Sequence, residues 1–176
     1  MPRLSVIVIA KNEERDLPAC LASVAFADEV VVVDAESTDR TRELAERSGA
    51  RVIVRPWPGH AAQKAFALSV ATGDWVLSLD ADERCSDELR VEIQRVLASA
   101  PADLDGYLIR FRTWAFGRRQ RFGGRFAERH LRLFRRERAR FPERAIHEGA
   151  EVDGRVARLS APILHETCAT YDEFVE

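Results

Sequence analysis

The sequence predicts an α/β fold with a mostly parallel, doubly wound sheet and a smaller α+β part near the C-terminus. Up to residue 105, short runs rich in valine and isoleucine alternate with helical segments, which is the order expected of parallel strands joined by helices. Beyond Gly106, apolar positions alternate with arginines, a period of two that favours half-exposed strands. The 176 residues suffice for a single domain, with a first half at 1–105 and a second half at 106–176.

The first half is predicted to hold four strands, each followed by a helix. The run LSVIVIA is apolar throughout, as expected of a strand covered on both faces. Ser37, Thr38 and Asp39 offer oxygens that can cap a helix, and Gly49 is suited to end it. The predicted strands are 4–10, 29–33, 51–55 and 75–79, and the predicted helices are 16–25, one from the 37–39 cap to 48, 60–72, and one from Ser86 to about residue 100.

The second half is predicted to add shorter strands and a basic surface. Its predicted strands are 107–113, 130–134 and 156–159. The chain has a net charge of −2, yet residues 106–145 contain 13 arginines and three acids. This segregation favours a polyanionic or membrane-surface partner, and it is equally compatible with a solvated arginine-rich surface. Because the pI is about 6.1 and no nucleic-acid motif is present, we expect no nucleic-acid partner.

Cysteine spacing and hydropathy exclude several classes of protein. Cys20, Cys85 and Cys168 form no C-x-x-C pair, which argues against a disulfide scaffold or a zinc ribbon and fits a reducing compartment. No apolar run approaches the length of about 18 residues that a membrane-spanning helix needs. The N-terminus lacks the pattern of a signal peptide, so we expect a cytoplasmic protein.

Polar residues close three of the four predicted strands of the first half. The segment KNE follows the first strand at 11–13, Asp34 follows the second, and Asp80 and Asp82 follow the fourth. Carboxyl ends of parallel strands share one edge of the sheet, and ligands bind there. The three aspartates would repel one another unless a bound cation neutralised their charge. The Asp-x-Asp motif therefore predicts a site for Mg²⁺ or Mn²⁺ together with a nucleotide diphosphate. The DADE segment is also compatible with a turn and a helix cap.

These segments resemble family 2 glycosyltransferases, and more narrowly the bacterial lipopolysaccharide core glycosyltransferases. The resembling segments are LSVIVIAKNEE, ADEVVVVDAESTDRT, GHAAQKAFAL, GDWVLSLDADE, GGRFAERHLRLFRR, AIHEGAEVDG and ILHE. Each motif alone is weak, but KNE, VDxxSTD and DADE in this order are specific. The resemblance implies the GT-A nucleotide-diphospho-sugar transferase fold and an inverting enzyme that moves a hexose from a UDP-glucose-like donor.

The resemblance also implies which residues contact the donor. The loop after the first strand would hold the nucleoside, and the acid closing the second strand would accept a hydrogen bond from the base or ribose. A helix lysine would lie near the diphosphate or base, and the first acid of Asp-x-Asp would face the ribose or sugar. The corresponding residues here are Ala10, Asn12, Glu13, Asp34, Lys64 and Asp80. An alternative for Asn12 and Asp39 is that they cap helices, and Lys64 can equally be a solvated helix lysine.

The metal and the catalytic base follow from the same resemblance. Asp82 would bind Mn²⁺ or Mg²⁺, and His165 rather than His147 would complete the metal shell, although a lone histidine is more often a packed residue. The base would be Glu128, where relatives commonly carry Pro-Asp, and Glu148 is its competitor.

The implied acceptor is an anionic glycolipid or the lipopolysaccharide core. Arginines interleaved with phenylalanines at 116–126 would face its phosphates and carboxylates, and the protein would associate peripherally with the cytoplasmic face of the inner membrane. Two other hypotheses remain open. One is a catalytically weak or truncated nucleotide-sugar-binding module, and the other is an arginine-rich anion-binding protein.

Overall fold

The computed structural model describes residues 1–99, 101–115, 118–119, 129–142 and 149–168. Within these ranges the chain forms eleven strands and four α-helices. The helices are α1 (Leu17–Ser23), α2 (Thr41–Arg47), α3 (His60–Val70) and α4 (Asp87–Ser99). The strands are β1 (Leu4–Ala10), β2 (Glu29–Asp34), β3 (Arg51–Val54), β4 (Trp75–Asp80), β5 (Glu83–Cys85), β6 (Gly106–Ala115), β7 (Arg118–Arg119), β8 (Arg129–Arg135), β9 (Ala139–Arg140), β10 (Glu151–Val152) and β11 (Val156–Cys168).

One large mixed sheet connects the two parts of the sequence. Its strand order is β3-β2-β1-β4-β8-β6-β11-β5, with β7 paired to β6, and β9 pairs separately with β10. The first four strands in this order are parallel, β8 is antiparallel to both of its neighbours, and β6 and β11 are parallel. The predicted α/β fold, with a parallel first part and an α+β second part, is confirmed.

Hydrophobic side chains of β1 alternate between two cores, one on each face of the sheet. Val6 and Val8 belong to the core that includes buried residues of α1 and α4, whereas Ile7 and Ile9 belong to the core beneath α3. All seven residues of β1 are buried, because helices cover both faces of the sheet at this strand. The run LSVIVIA therefore forms the central strand that its composition predicts.

Two helix ends differ from the sequence prediction because local hydrogen bonds compete with the helix. The helix predicted to start at a 37–39 cap begins at Thr41, since Ser37 and Thr38 bind Asp34 and Asn12 instead. The helix predicted to reach residue 72 ends at Val70, and the Thr72 N–H donates to Glu29 (2.8 Å). Gly49 ends α2 in the left-handed conformation at φ +82°, as predicted.

Several strands are longer than predicted or additional to those predicted, and β7, β9 and β10 are among the additional ones. Residues 83–85, for which no strand was predicted, form β5 and pair with β11. The strand predicted at 156–159 continues to residue 168 after an irregularity between Arg158 and Pro162. The Glu92 carboxylate accepts hydrogen bonds from the Ser160 and Ala161 N–H groups at 2.9–3.0 Å, so a side chain of α4 satisfies the backbone where the strand pairing is broken.

Candidate active site

A cavity of about 900 Å³ opens at the carboxyl edge of the parallel strands. Side chains of β4, β5, β6, β8 and β11, together with the loop after β1 and the start of α3, form its wall. Six of the predicted site residues lie on this wall. They are Ala10, Glu13, Lys64, Asp80, Asp82 and His165.

The loops that follow β1 and β2 are hydrogen-bonded to each other through Ser37. The Asn12 N–H donates to Ser37 Oγ (2.8 Å), and Asn12 Oδ1 accepts from the Thr38 N–H (2.9 Å). Asp34, which is 1% exposed, accepts from the Ser37 N–H (3.1 Å) and hydroxyl (2.5 Å). Asn12 and Asp34 thus fix the shape of this edge of the sheet. Neither residue belongs to the cavity wall as far as the structure describes it. Their contacts with a donor stay a prediction.

Asp80 lies at the end of β4 between two cations. Lys64 Nζ is 2.7 Å from Asp80 Oδ1, and Arg132 Nη2 is 3.3 Å from Asp80 Oδ2. The same Arg132 Nη2 donates to Glu83 Oε1 at 2.7 Å. We call Lys64, Asp80, Glu83 and Arg132 the buried ion cluster, because three of these side chains are at most 13% exposed and enclose that of Asp80, which is 32% exposed. Its two cations and two carboxylates balance in charge.

The two carboxyls of the cluster respond differently to their surroundings. Burial would raise the pKa of Asp80, but Arg132 and Lys64 outweigh it and hold that pKa well below its usual range. The pKa of Glu83 is raised above its ordinary value. Burial and the charge of Asp80 both raise it, and they outweigh Arg132, which lowers it. Asp80 is therefore the fixed anion of the cluster, with a cation against each oxygen.

Asp82 and His165 face each other on the cavity wall. His165 Nε2 lies 3.0 Å from Asp82 Oδ2, and the two side chains are 21% and 34% exposed. Pairing of β5 with β11 sets His165 opposite Glu83, which brings its ring beside the turn that carries Asp82. Burial alone would lower the pKa of His165, but the hydrogen bond to Asp82 and the nearby acids raise it above its ordinary value.

This pair fits a divalent cation in both donor type and spacing. A carboxylate oxygen and an imidazole nitrogen are both suitable ligands for Mn²⁺. Adjacent ligands of an octahedral ion bound at about 2.1 Å are about 3.0 Å apart, the separation that these two atoms have. In the part of the chain that the structure describes, no three His, Cys, Asp or Glu side chains group as a metal site. Two protein ligands are typical where substrate phosphates supply the others.

Glu13 brings a further carboxyl to the cavity wall. Its N–H donates to Thr41 Oγ1 (2.7 Å), which fixes the backbone of the loop after β1. Burial, followed by the charge of Asp82 and three other aspartates, raises the pKa of Glu13 to about 7. The repulsion from these aspartates would be relieved by a cation bound beside them.

Sequence comparison decides the family. The profile described as "Glycosyl transferase family 2" matches residues 5–152. The chain belongs to glycosyl transferase family 2. The matched range includes the strand ends, the buried ion cluster and Asp82 of this family 2 chain.

Several curated relatives of the family 2 chain carry glycosyltransferase names. An uncharacterized glycosyltransferase of Rickettsia felis is 47% identical over 104 residues, which cover 58% of this chain and 37% of that protein. The lipopolysaccharide core biosynthesis glycosyltransferase LpsC of Rhizobium meliloti is 33% identical over 177 residues, covering 97% of this chain and 65% of LpsC. The chain spans between 35% and 37% of the length of the Rickettsia relatives that it matches.

Solved structures agree with the fold. The family 2 chain superposes on S. aureus TarS in complex with UDP-GlcNAc with a TM-score of 0.65 at 21% identity, over 99% of this chain and 61% of TarS. It also matches glucosyl-3-phosphoglycerate synthase from Mycobacterium tuberculosis in complex with Mn²⁺, UDP-glucose and phosphoglyceric acid. There the TM-score is 0.50 at 27% identity, over 66% of this chain and 45% of that one. The fold resemblance to GT-A glycosyltransferases is confirmed.

The sequence alone did not predict that some residues of the cavity wall belong to the site. Arg132 and Glu83 were not assigned to the site, although Glu83 stands within DADE. Trp57, in the loop after β3, and His60, the first residue of α3, line the cavity, and their rings meet edge to face at 4.7 Å. The rule that ligands bind at the carboxyl ends of parallel strands would have indicated this loop, because it follows the third parallel strand.

Several predicted residues lie outside the described residues. They are the two candidates for the base, Glu128 and Glu148, together with His147 and the residues of the arginine–phenylalanine surface at 116–126 other than Arg118 and Arg119. Their roles stay predictions. None of the helices in the described ranges is long and apolar enough to cross a membrane.

Proposed function

We propose that the protein is a metal-dependent, inverting glycosyltransferase that moves a hexose from a UDP-glucose-like donor to an anionic glycan, such as the lipopolysaccharide core. The observation that carries this proposal is the Asp82–His165 pair, 3.0 Å apart on a cavity that also holds the buried ion cluster. Family 2 membership and the name of LpsC support the reaction class and the acceptor. The Mn²⁺ and UDP-glucose bound to the mycobacterial synthase support the donor.

Donor binding is assigned to the residues at the strand ends. Ala10, Asn12 and Glu13, in the loop after β1, would contact the nucleoside. Hydrogen bonds to Ser37 and Thr41 hold this loop in one conformation. Asp34 would accept a hydrogen bond from the base or ribose once it exchanges a bond with Ser37. Such rigid loops reduce the entropy that donor binding must lose.

Lys64 and Asp80 are assigned to the middle of the donor. Asp80 stays ionised next to its two cations and would accept hydrogen bonds from ribose or sugar hydroxyls. Lys64 Nζ would donate to the diphosphate while it keeps its contact with Asp80. The pair would therefore orient the donor along the cavity wall.

Asp82 and His165 would hold the cation. A divalent ion bound there neutralises the charge that develops on the leaving diphosphate. The Nε2 atom of His165 can act as a ligand only when it carries no proton, because only the unprotonated nitrogen binds a metal. Donor binding with metal should therefore weaken as the pH falls and His165 becomes protonated.

The acceptor hydroxyl needs a carboxylate to take its proton. We assign this role to Glu128, with Glu148 as the competitor, since both lie in the part of the sequence that resembles the acceptor side of family 2 enzymes. The arginine-rich segment 106–145 would attract the phosphates of the acceptor and would favour peripheral association with a membrane surface.

A thermal-shift panel tests the donor proposal. UDP-, GDP-, ADP- and TDP-sugars are compared with and without Mn²⁺. A donor at about 100 times its dissociation constant should stabilise the fold by about 2.7 kcal/mol, and we expect this only for the UDP-sugar with Mn²⁺. If none of the sugars shifts the unfolding temperature, the donor proposal is wrong.

A second candidate is a nucleotide-sugar-binding module with little or no transfer activity. The observation that favours binding as such is the cavity at the strand ends, which has Lys64, Asp80 and Asp82 on its wall. Calorimetry combined with a transfer assay separates the two candidates. Binding of UDP-glucose without turnover on any glycolipid would support the module.

A further inference from the structure

We propose that Arg132 is the positioning residue of the metal site, which fixes the turn carrying Asp82 by binding Glu83. This inference rests on the proposed function, because it concerns the cation that Asp82 and His165 would hold. Arg132 lies on β8, in the second part of the sequence, whereas the turn at 81–82 lies between β4 and β5. The metal site would thus depend on a contact between distant segments of the chain.

The turn is closed by a side chain rather than by the backbone alone. The Asp80 N–H donates to Glu83 Oε2 at 2.9 Å, so the carboxylate of Glu83 reaches back to the start of the turn. Asp82 lies between these two residues in the sequence and carries the oxygen that faces His165. A shift of the Glu83 carboxylate would therefore move the backbone that presents Asp82.

Arg132 holds the other oxygen of that carboxylate. Its Nη2 donates to Glu83 Oε1 (2.7 Å) and to Asp80 Oδ2 (3.3 Å), and its Nη1 donates to the carbonyl of Ser78 (3.3 Å). The guanidinium also stacks on Phe111, with 5.1 Å between Cζ and the ring centroid. The planar guanidinium group of an arginine can bind three acceptors and an aromatic face at once. The ammonium group of a lysine cannot reproduce this geometry.

Burial makes this arrangement rigid. The side chains of Arg132 and Glu83 are 13% and 3% exposed. A buried ion that loses its partner is strongly unfavourable, so neither side chain leaves the other readily. Asp82, at 34% exposed, remains open to the cavity. The buried pair therefore acts as the fixed support, and Asp82 as the residue that meets the ligand.

Removing a side chain that holds a metal ligand in place without touching the metal usually weakens metal binding by about 10- to 100-fold. The single variant Arg132→Gln leaves Glu83 without its closest cation and risks unfolding. The double variant Arg132→Gln/Glu83→Gln keeps the cluster balanced in charge, because Lys64 still faces Asp80. Glu83→Gln also retains an oxygen for the Asp80 N–H. The double variant is therefore the one that tests whether Arg132 positions the metal site.

The experiment measures Mn²⁺ bound to the full chain in the presence of saturating UDP, by the electron paramagnetic resonance signal of free Mn²⁺. Arg135→Gln serves as the matched control. Arg135 lies on the same strand and places its guanidinium over Trp75 at 4.9 Å, but its hydrogen bonds go to the carbonyls of Pro101 and Leu104. Circular dichroism and urea unfolding check that each variant is folded.

We expect the double variant to fold and to bind Mn²⁺ at least about 10-fold more weakly than the wild type, while Arg135→Gln binds it as the wild type does. Equal Mn²⁺ binding by the wild type and the folded double variant would overturn the positioning role and leave the proposed function standing. An equal loss in Arg135→Gln would also overturn it. If the wild type itself binds no Mn²⁺ with UDP, the proposed function fails and this inference falls with it.

Discussion

Replacing Lys64 with methionine removes one of the two cations from the buried ion cluster, and we expect it to destabilise the fold. Lys64 is 10% exposed at its side chain, and its Nζ is 2.7 Å from Asp80 Oδ1. Methionine preserves most of the length and apolar contact of the lysine stem, so the change isolates the charge. After the substitution, Asp80 and Glu83 share the single cation of Arg132.

The expected loss is about 2–4 kcal/mol in the free energy of unfolding. At an effective dielectric constant of about 20, two charges at this distance attract by about 6 kcal/mol, and the desolvation of both ions offsets part of it. Breaking a buried pair commonly costs about 3–5 kcal/mol. We take a lower range because Asp80 is 32% exposed and keeps Arg132 at 3.3 Å, so water and the remaining cation compensate in part.

Urea unfolding of Lys64→Met, Asp80→Asn and the double variant measures this effect as a thermodynamic cycle. We expect a coupling free energy of about 1–3 kcal/mol between the two side chains, since the double variant leaves Arg132 and Glu83 balanced. Lys11→Met is the control, because Lys11 is an exposed lysine on the same cavity wall. A Lys64→Met variant as stable as Lys11→Met, or a strictly additive cycle, would refute the reasoning.

Two further predictions concern the support of β1. Gly73→Ala should destabilise the protein by about 1–3 kcal/mol in urea unfolding, because an added Cβ would lie 2.6 Å from the Ser5 backbone nitrogen; wild-type stability in this variant would contradict the packing. Burial would raise the pKa of Glu29, but hydrogen bonds from Ser5 and Thr72 outweigh it and hold that pKa below its ordinary value. The stability that the Glu29 carboxylate contributes is thus fully present above the pKa of Glu29 in the unfolded chain, about 4.3. It is lost as the pH falls through the lower pKa that Glu29 has in the folded protein. Urea unfolding should show Glu29→Gln less stable than the wild type by about 2 kcal/mol at pH 7, with the gap closing toward pH 3, and a gap that does not depend on pH would argue against this assignment.

The first part of the fold was predictable because its signals are local. The strand 4–10 agrees with β1 residue for residue, since an uninterrupted apolar run in an α/β pattern has few other solutions. Gly49 ends a helix because only a residue without a side chain adopts its φ readily. The second part follows from long-range pairing, and β5 forms only because β11 lies beside it. Local sequence carries no signal for that contact.

The candidate site shows the same division. The strand-end rule predicted the meeting of Asp80 and Asp82 at the cavity, and six of the predicted residues line it. Arg132 was missed because an arginine in an alternating strand has the pattern of a solvated residue, whereas the structure turns its guanidinium toward Glu83. Asp34 was predicted to face the donor, and its present bonds to Ser37 are visible only when both loops are in place.

The chemistry assigned to Asp82 is measured most directly by the Mn²⁺-dependent hydrolysis of UDP-glucose, comparing the wild type with Asp82→Asn. Asp87→Asn is the control, because the Asp87 side chain is 93% exposed in the first turn of α4 and is absent from the described wall of the cavity. We expect hydrolysis by the wild type and by Asp87→Asn only when Mn²⁺ is present, and a loss of at least about 100-fold in Asp82→Asn. A wild-type rate in Asp82→Asn, or hydrolysis that does not depend on Mn²⁺, would contradict the assignment of Asp82 as the metal ligand.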